Sequence, residues 1–227
     1  ELGIKIHQSV QESCQAYSKW CEGADFSEAA LLGRLVAALS GIMAWAESSP
    51  DVYWGASRLY APHVSRVLMR AVDVLGESPT IASCLDLMGN HQEEVVCDYQ
   101  QALACFGQAL EIRQKFYGEV LHPDVARSLN KVGRGYHALG DVQKGLYYQE
   151  QGLTILQTLY RKSPHPDIAS SLHNASEAYQ ALGDIQKGII YQKKALSIYQ
   201  GLYGEELHPN MAMSLNNIGM AYQKLGD

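Results

Sequence analysis

The chain has 227 residues, 47% apolar and 19% charged, an ordinary globular balance with enough apolar material for a sizeable core. Its 24 acidic residues outnumber its 18 basic ones, and the net charge of −6 argues against electrostatic capture of nucleic acid. Five cysteines (Cys14, Cys21, Cys84, Cys97 and Cys105) form an odd set without a C-x-x-C pair. Neither a zinc site nor a disulfide framework is expected, and reduced thiols fit a cytoplasmic protein.

The chain begins at Glu1 and stops at Asp227, part-way through a repeat, which reads as a portion of something longer. Ile6, Val10, Cys14, Tyr17 and Cys21 line one face of a predicted helix. Ser27 to Ala46 reads as a second helix. Its most apolar run, from Leu31, is interrupted by Arg34 and is shorter than the ~20 residues a membrane span needs, so a buried core helix is expected and no membrane insertion. Asp51 to Tyr60 and His63 to Leu75 read as two more helices, split by Pro62. Residues 1–78 are thus a helical region, either a separate cap or diverged repeats. Either would cover the apolar end of the later helices, as solenoids require.

From residue 79 the chain repeats. His122, His165 and His208 recur at a 43-residue step, as do Gly140, Gly183 and Gly226. Tyr117, Tyr160 and Tyr203 keep the same step, and so do Tyr136, Tyr179 and Tyr222. A fixed period of this size marks a solenoid. Each unit reads as two helices. Val125, Leu129, Val132 and Tyr136 follow His122-Pro123 at helical spacing. Proline suits a first helical turn, and Asp124 or Asp167 behind it favours the helix N-terminus. Gly140 should end that helix, and Asp141 and Asp184 should cap the next. The second helix carries Leu146, Leu153, Ile155 and Leu159, copied at Ile189, Leu196, Ile198 and Leu202. Gly133, Gly219, Gly145 and Gly152 imply close helix contact that offsets glycine's helix cost. A weaker copy precedes these: Pro79, Ala82, Leu85 and Gly89 match at an offset of 44, and Ala102, Ala109, Leu110, Ile112 and Tyr117 at 43. One residue is therefore inserted within "NHQEEVVCDY", where the Leu-Gly-Asp turn is missing.

The set Leu129, Val132, Gly133, Tyr136, Gly145, Gly152 and Leu153 resembles the tetratricopeptide repeat (TPR). The ordinary TPR period is 34 residues. The longer unit, as in "YGEELHPNMAMSLNNIGMAYQKLGD", is similar to the long-repeat subclass of kinesin light chains and nephrocystin-type proteins. The resemblance covers residues 79–227, divided as 79–121, 122–164, 165–207 and a first helix over 208–227. It implies an all-α solenoid of antiparallel helix pairs that binds proteins or peptides, although a fold alone does not fix a function.

In TPR solenoids the first helix of each pair lines the concave face. Carried over by position, the expected partner-binding residues are Arg127, Asn130, Lys131, Arg134 and His137, with Ser170, His173, Asn174, Glu177 and Gln180 in the next unit. The last unit supplies Met213, Asn216, Asn217, Met220 and Gln223, and the weak first unit Ser83, Asp86, Leu87 and Asn90. Asparagine is a poor mid-helix residue, so its recurrence asks for a reason. Amides suit the backbone of an extended peptide, and Arg127, Lys131 and Arg134 would suit acidic side chains. A carboxylate clamp of the chaperone-binding TPR type finds Leu87 and Met213 where asparagine and a base would be wanted.

No catalytic, cofactor or metal residues are expected. The His-Pro histidines stand one per repeat and cannot converge on a metal, so they read as helix punctuation. The glycines do not form G-x-x-x-x-G-K-[ST]. The function expected is a non-catalytic interaction scaffold binding a protein or extended peptide. The alternative is a sensor, autoinhibitory or oligomerisation arm of a larger nucleotide-switch protein, with self-association left open.

Overall fold

The computed structural model describes residues 78–227 except 162, 205, 207 and 227. The helices read within residues 1–77 lie outside the described residues. Seven α-helices and one π-helical turn follow in order: α1 Pro79–His91, the π turn Gln92–Val96, α2 Tyr99–Tyr117, α3 Pro123–Ala138, α4 Val142–Tyr160, α5 Pro166–Ala181, α6 Ile185–Tyr203 and α7 Pro209–Leu225. Each helix packs against its chain neighbours, and α3 also touches α5, the next first helix. The all-α helix-pair solenoid read from the period is the fold found.

The repeated His-Pro starts a helix. The Nδ1 atoms of His122, His165 and His208 accept from the backbone N–H two residues on, each at 3.2 Å. Serine or aspartate usually fills this role; here a ring nitrogen satisfies one of the orphan donors of the first turn. Each imidazole also stacks on the tyrosine that ended the previous helix. The ring centroids lie 3.7 Å apart for Tyr117–His122, 3.6 Å for Tyr160–His165 and 3.7 Å for Tyr203–His208. Two of the chain's strictest periodicities are thus one contact. That contact also turns the helix end: Tyr160 and Tyr203 point inward, while Leu159 and Leu202, expected to pack, are 37% exposed.

Between the helices of a pair, the N–H of Asp141 reaches the carbonyl of Tyr136 at 3.0 Å, and that of Asp184 reaches Tyr179 at 2.9 Å. Gly140 and Gly183 take φ of +89° and +88°, the left-handed conformation such a stop requires. The aspartate side chains then accept from Lys144 and Lys187 N–H at 3.2 and 3.0 Å. The first pair reaches the same result with one more residue. Asp98 N–H bonds the carbonyl of Gln92 at 2.8 Å, the extra residue widens α1 into a π turn, and Cys97 takes the left-handed position at φ +59°. A π turn is the usual way a helix absorbs a one-residue insertion.

Close packing within a pair rests on small residues. A Cβ on Gly145 would lie 2.6 Å from the Gly133 carbonyl oxygen, and one on Gly133 would lie 2.6 Å from the Gln149 Cγ. In the next pair Ser176 stands where Gly133 does, and its hydroxyl donates to the Gly188 carbonyl at 2.8 Å. No second helix follows α7 among the described residues. Gly219 therefore meets nothing within 4 Å, and Leu215 is 57% exposed where its counterparts Leu129 and Leu172 are 3% and 4%.

Candidate functional site

The candidate face runs along the first helices α1, α3, α5 and α7. His-Pro caps start α3, α5 and α7, Ser78 caps α1, and small-residue contacts hold α3 against α4 and α5 against α6. The three expected cations are not free on that face. The Arg127 guanidinium bonds Asp124 at 2.8 Å and crosses to Asp167 of α5 at 3.1 Å. Lys131 Nζ lies 3.7 Å from an Asp86 carboxylate oxygen and 3.4 Å from the Asn90 amide oxygen. Arg134 bonds Glu93 at 2.6 Å and Asn90 at 3.3 Å. Each cation is matched by a carboxylate one unit away. The basic groove read from residue types is therefore an internally neutralised ladder, and an acidic partner has no support from it.

Asn130 is also engaged, its Nδ2 donating to the Ser171 hydroxyl while its Oδ1 is buried without a partner. His173 sits between Gln192, 3.1 Å from its Nδ1, and Glu177, 3.4 Å from its Nε2. The hydrogen bond from His173 holds the Glu177 carboxyl below the usual carboxylate range against the cost of its burial, and His137 and Arg134 act in the same direction. His173 and Glu177 of α5 thus form a pair on this face, within electrostatic reach of Arg134 and His137 of α3. Gln180 donates to Ser176 at 3.3 Å.

Asn174, Asn216, Asn217 and Gln223 differ from these. Their side chains make no hydrogen bond or ion pair with any described residue; Asn216 stands where Asn130 and His173 meet Ser171 and Gln192 of later helices, and no described helix follows α7, whereas Asn174 lies in a complete pair. The part of the face with unused hydrogen-bonding capacity is α5 to α7.

Reading the sequence missed Arg113. It is buried in α2, 2.7 Å from Asp86 and bonded to Ser83 and Ser128. The signal was present: Asp86 and Glu93 fall on the candidate face one unit before Asn130 and His137, where they meet the cations of α3.

No group of three or more histidine, cysteine or acidic side chains is placed to hold a metal among the described residues. No described helix is long and apolar enough to cross a membrane.

A row of helix pairs exposing one continuous first-helix face defines a solenoid of the protein-interaction kind. The tetratricopeptide repeat family model matches residues 93–158 and 167–227, and the chain belongs to that family. No curated protein matches the sequence significantly. Among solved structures, the chain is similar to the nearly identical TPR-like repeats of a kinesin light chain-like protein from Podosopora anserina. That match has a TM-score of 0.66 at 23% identity, over 84% of this chain and 88% of that one. BtubC (BKLC) from P. vanneervenii matches with a TM-score of 0.66 at 20% identity, over 86% and 85%. Apo RapI matches with 0.53 at 16%, over 96% and 69%. At these identities the likeness is one of fold. Family and fold together support a protein-interaction scaffold, a role the family ordinarily fills without catalysis.

Proposed function

We propose that the chain is a non-catalytic scaffold that holds an extended segment of a partner protein along its first-helix face, chiefly over α5 and α7. One observation carries this reading. Asn174 and Asn217, equivalent positions one repeat apart, sit mid-helix on that face with no hydrogen-bond partner among the described residues. Each primary amide offers two donors and an acceptor oxygen, which matches the alternating carbonyls and N–H groups of an extended chain. The cations of α3 lend no comparable support, because each already holds a carboxylate.

The test is selection from a displayed library of random peptides about a dozen residues long, against the full chain. Removing two amides at ~0.5–1.5 kcal/mol each should weaken the selected peptides about tenfold in Asn174→Ala/Asn217→Ala, with the melting curve unchanged. Selected peptides that bind this variant as well as the parent would place the site elsewhere.

A further inference from the structure

The face does not end in charge at α7. Met213 and Met220 stand where α3 carries Arg127 and Arg134 and where α5 carries Ser170 and Glu177. They are 43% and 45% exposed. Their exposure belongs to the position. In the complete pairs the side chains there remain exposed too, 53% for Arg127, 42% for Arg134 and 47% for Glu177. Leu215 on the same helix is the contrast: its counterparts are buried, so it is a packing residue, whereas the two methionines are surface residues of the face. Seven residues apart, they lie on one side of α7 with Asn216 and Asn217 between them. An unbranched thioether adapts to irregular apolar side chains, and methionine is over-used at binding surfaces for that reason.

Charge is the second observation. The three cations of the ladder (Arg127, Lys131 and Arg134) and Arg113 in the joint behind it meet the carboxylates of Asp86, Glu93, Asp124 and Asp167. Glu177 is a further carboxylate on the same face; its hydrogen-bond partner is the His173 imidazole, and Arg134, already bonded to Glu93 and Asn90, acts on it only at longer range. Register puts the two features together. Arg134 reaches Asn90 and Glu93, its own position and the one three residues on in the preceding unit. By the same step, Glu177 and Gln180 of α5 are the positions that correspond to those partners for Met220.

We infer that the segment taken by this face is apolar and basic: a large apolar side chain against Met213 and Met220, with a lysine or arginine close by for Glu177. This rests on the groove reading above and names the chemistry of its partner. The probe is the same random peptide library, now read for composition. Peptides selected on the full chain should be enriched in a large apolar residue near a basic one. A single such peptide, synthesised with a fluorescent label, should lose roughly fivefold to tenfold in affinity on Met213→Ser/Met220→Ser and a few-fold on Glu177→Gln. The Glu177→Gln loss should shrink as salt is raised, because it reports a screened charge. Acidic selected peptides, lost on Asn174→Ala/Asn217→Ala yet indifferent to the methionine and Glu177 variants, would overturn this inference and leave the groove reading standing. Selected peptides indifferent to every one of these variants would overturn both.

Discussion

Arg113 in α2 and Leu156 in α4 occupy one repeat position, at the joint between a helix pair and the next. Both are buried, at 5% and 0% exposure. At the first joint the position holds a guanidinium 2.7 Å from Asp86, with Ser83 and Ser128 as further acceptors. At the second it holds a leucine among Ala126, Leu153, Ile168, Ala169, Leu172 and Tyr199. The His-Pro caps and the tyrosine–histidine stacks are alike at both joints, so the stacking of pairs tolerates opposite chemistries provided the volume is filled. The chemistry matters for the face instead. Asp86 serves Arg113 inside the joint and Lys131 on the face, so the buried pair also decides that the face cation is not free.

The sharpest way to break the comparison is Arg113→Ala. It leaves Asp86 buried without its main partner, and a loss of ~3–5 kcal/mol is expected in urea unfolding. A loss below ~1 kcal/mol would mean that water reaches Asp86 and the joint is not a desolvated pair. The companion change, Arg113→Leu with Asp86→Asn, copies the second joint, where Leu156 and Asn130 stand. It should be neutral or stabilising, as apolar replacement of buried pairs often is. A cost equal to that of the single variant would show that the two joints are not interchangeable.

At the second joint, Leu156→Ala should cost ~2–5 kcal/mol through lost transfer and cavity terms, again by urea unfolding. A smaller effect comes from within a pair, where the two joints are alike. Gly145→Leu drives a side chain against the Gly133 carbonyl and should cost ~1–3 kcal/mol, visible as a clear fall in melting temperature.

The smallest effect again separates the joints. The loop after α2 turns on Gly118 at φ +58°, ψ −130°, and the loop after α4 on Arg161 at φ +52°, ψ −115°. That region is close to glycine-only, so Arg161→Gly should raise stability by about 1 kcal/mol. No gain in melting temperature would show that the second joint bears no backbone strain there.

Much of this was legible beforehand, for a physical reason. A cap or a turn is local: His165 reaches the N–H two residues on, and Gly183 needs only its own dihedral, so spacing identifies them. The inserted residue was located by its change of offset, but its form as a π turn was not, because a turn with the Leu-Gly-Asp pattern missing has several possible shapes. The charge distribution of the candidate face was illegible in the sequence. Arg127, Lys131 and Arg134 look basic one at a time. Asp167, Asp86 and Glu93, which face them, lie about one repeat away in the chain, and only stacking brings them within reach.

The sequence by itself determined the α-solenoid, its 43-residue unit and the helix starts and stops of the regular pairs, since each depends on contacts within a few residues or on strict periodicity. Tertiary structure decided which outward residues remain available. Two side chains a repeat apart neutralise each other only when the helices carrying them are stacked side by side. That stacking engages the basic residues of α3 and leaves Asn174 of α5 and Asn217 of α7 without a partner among the described residues.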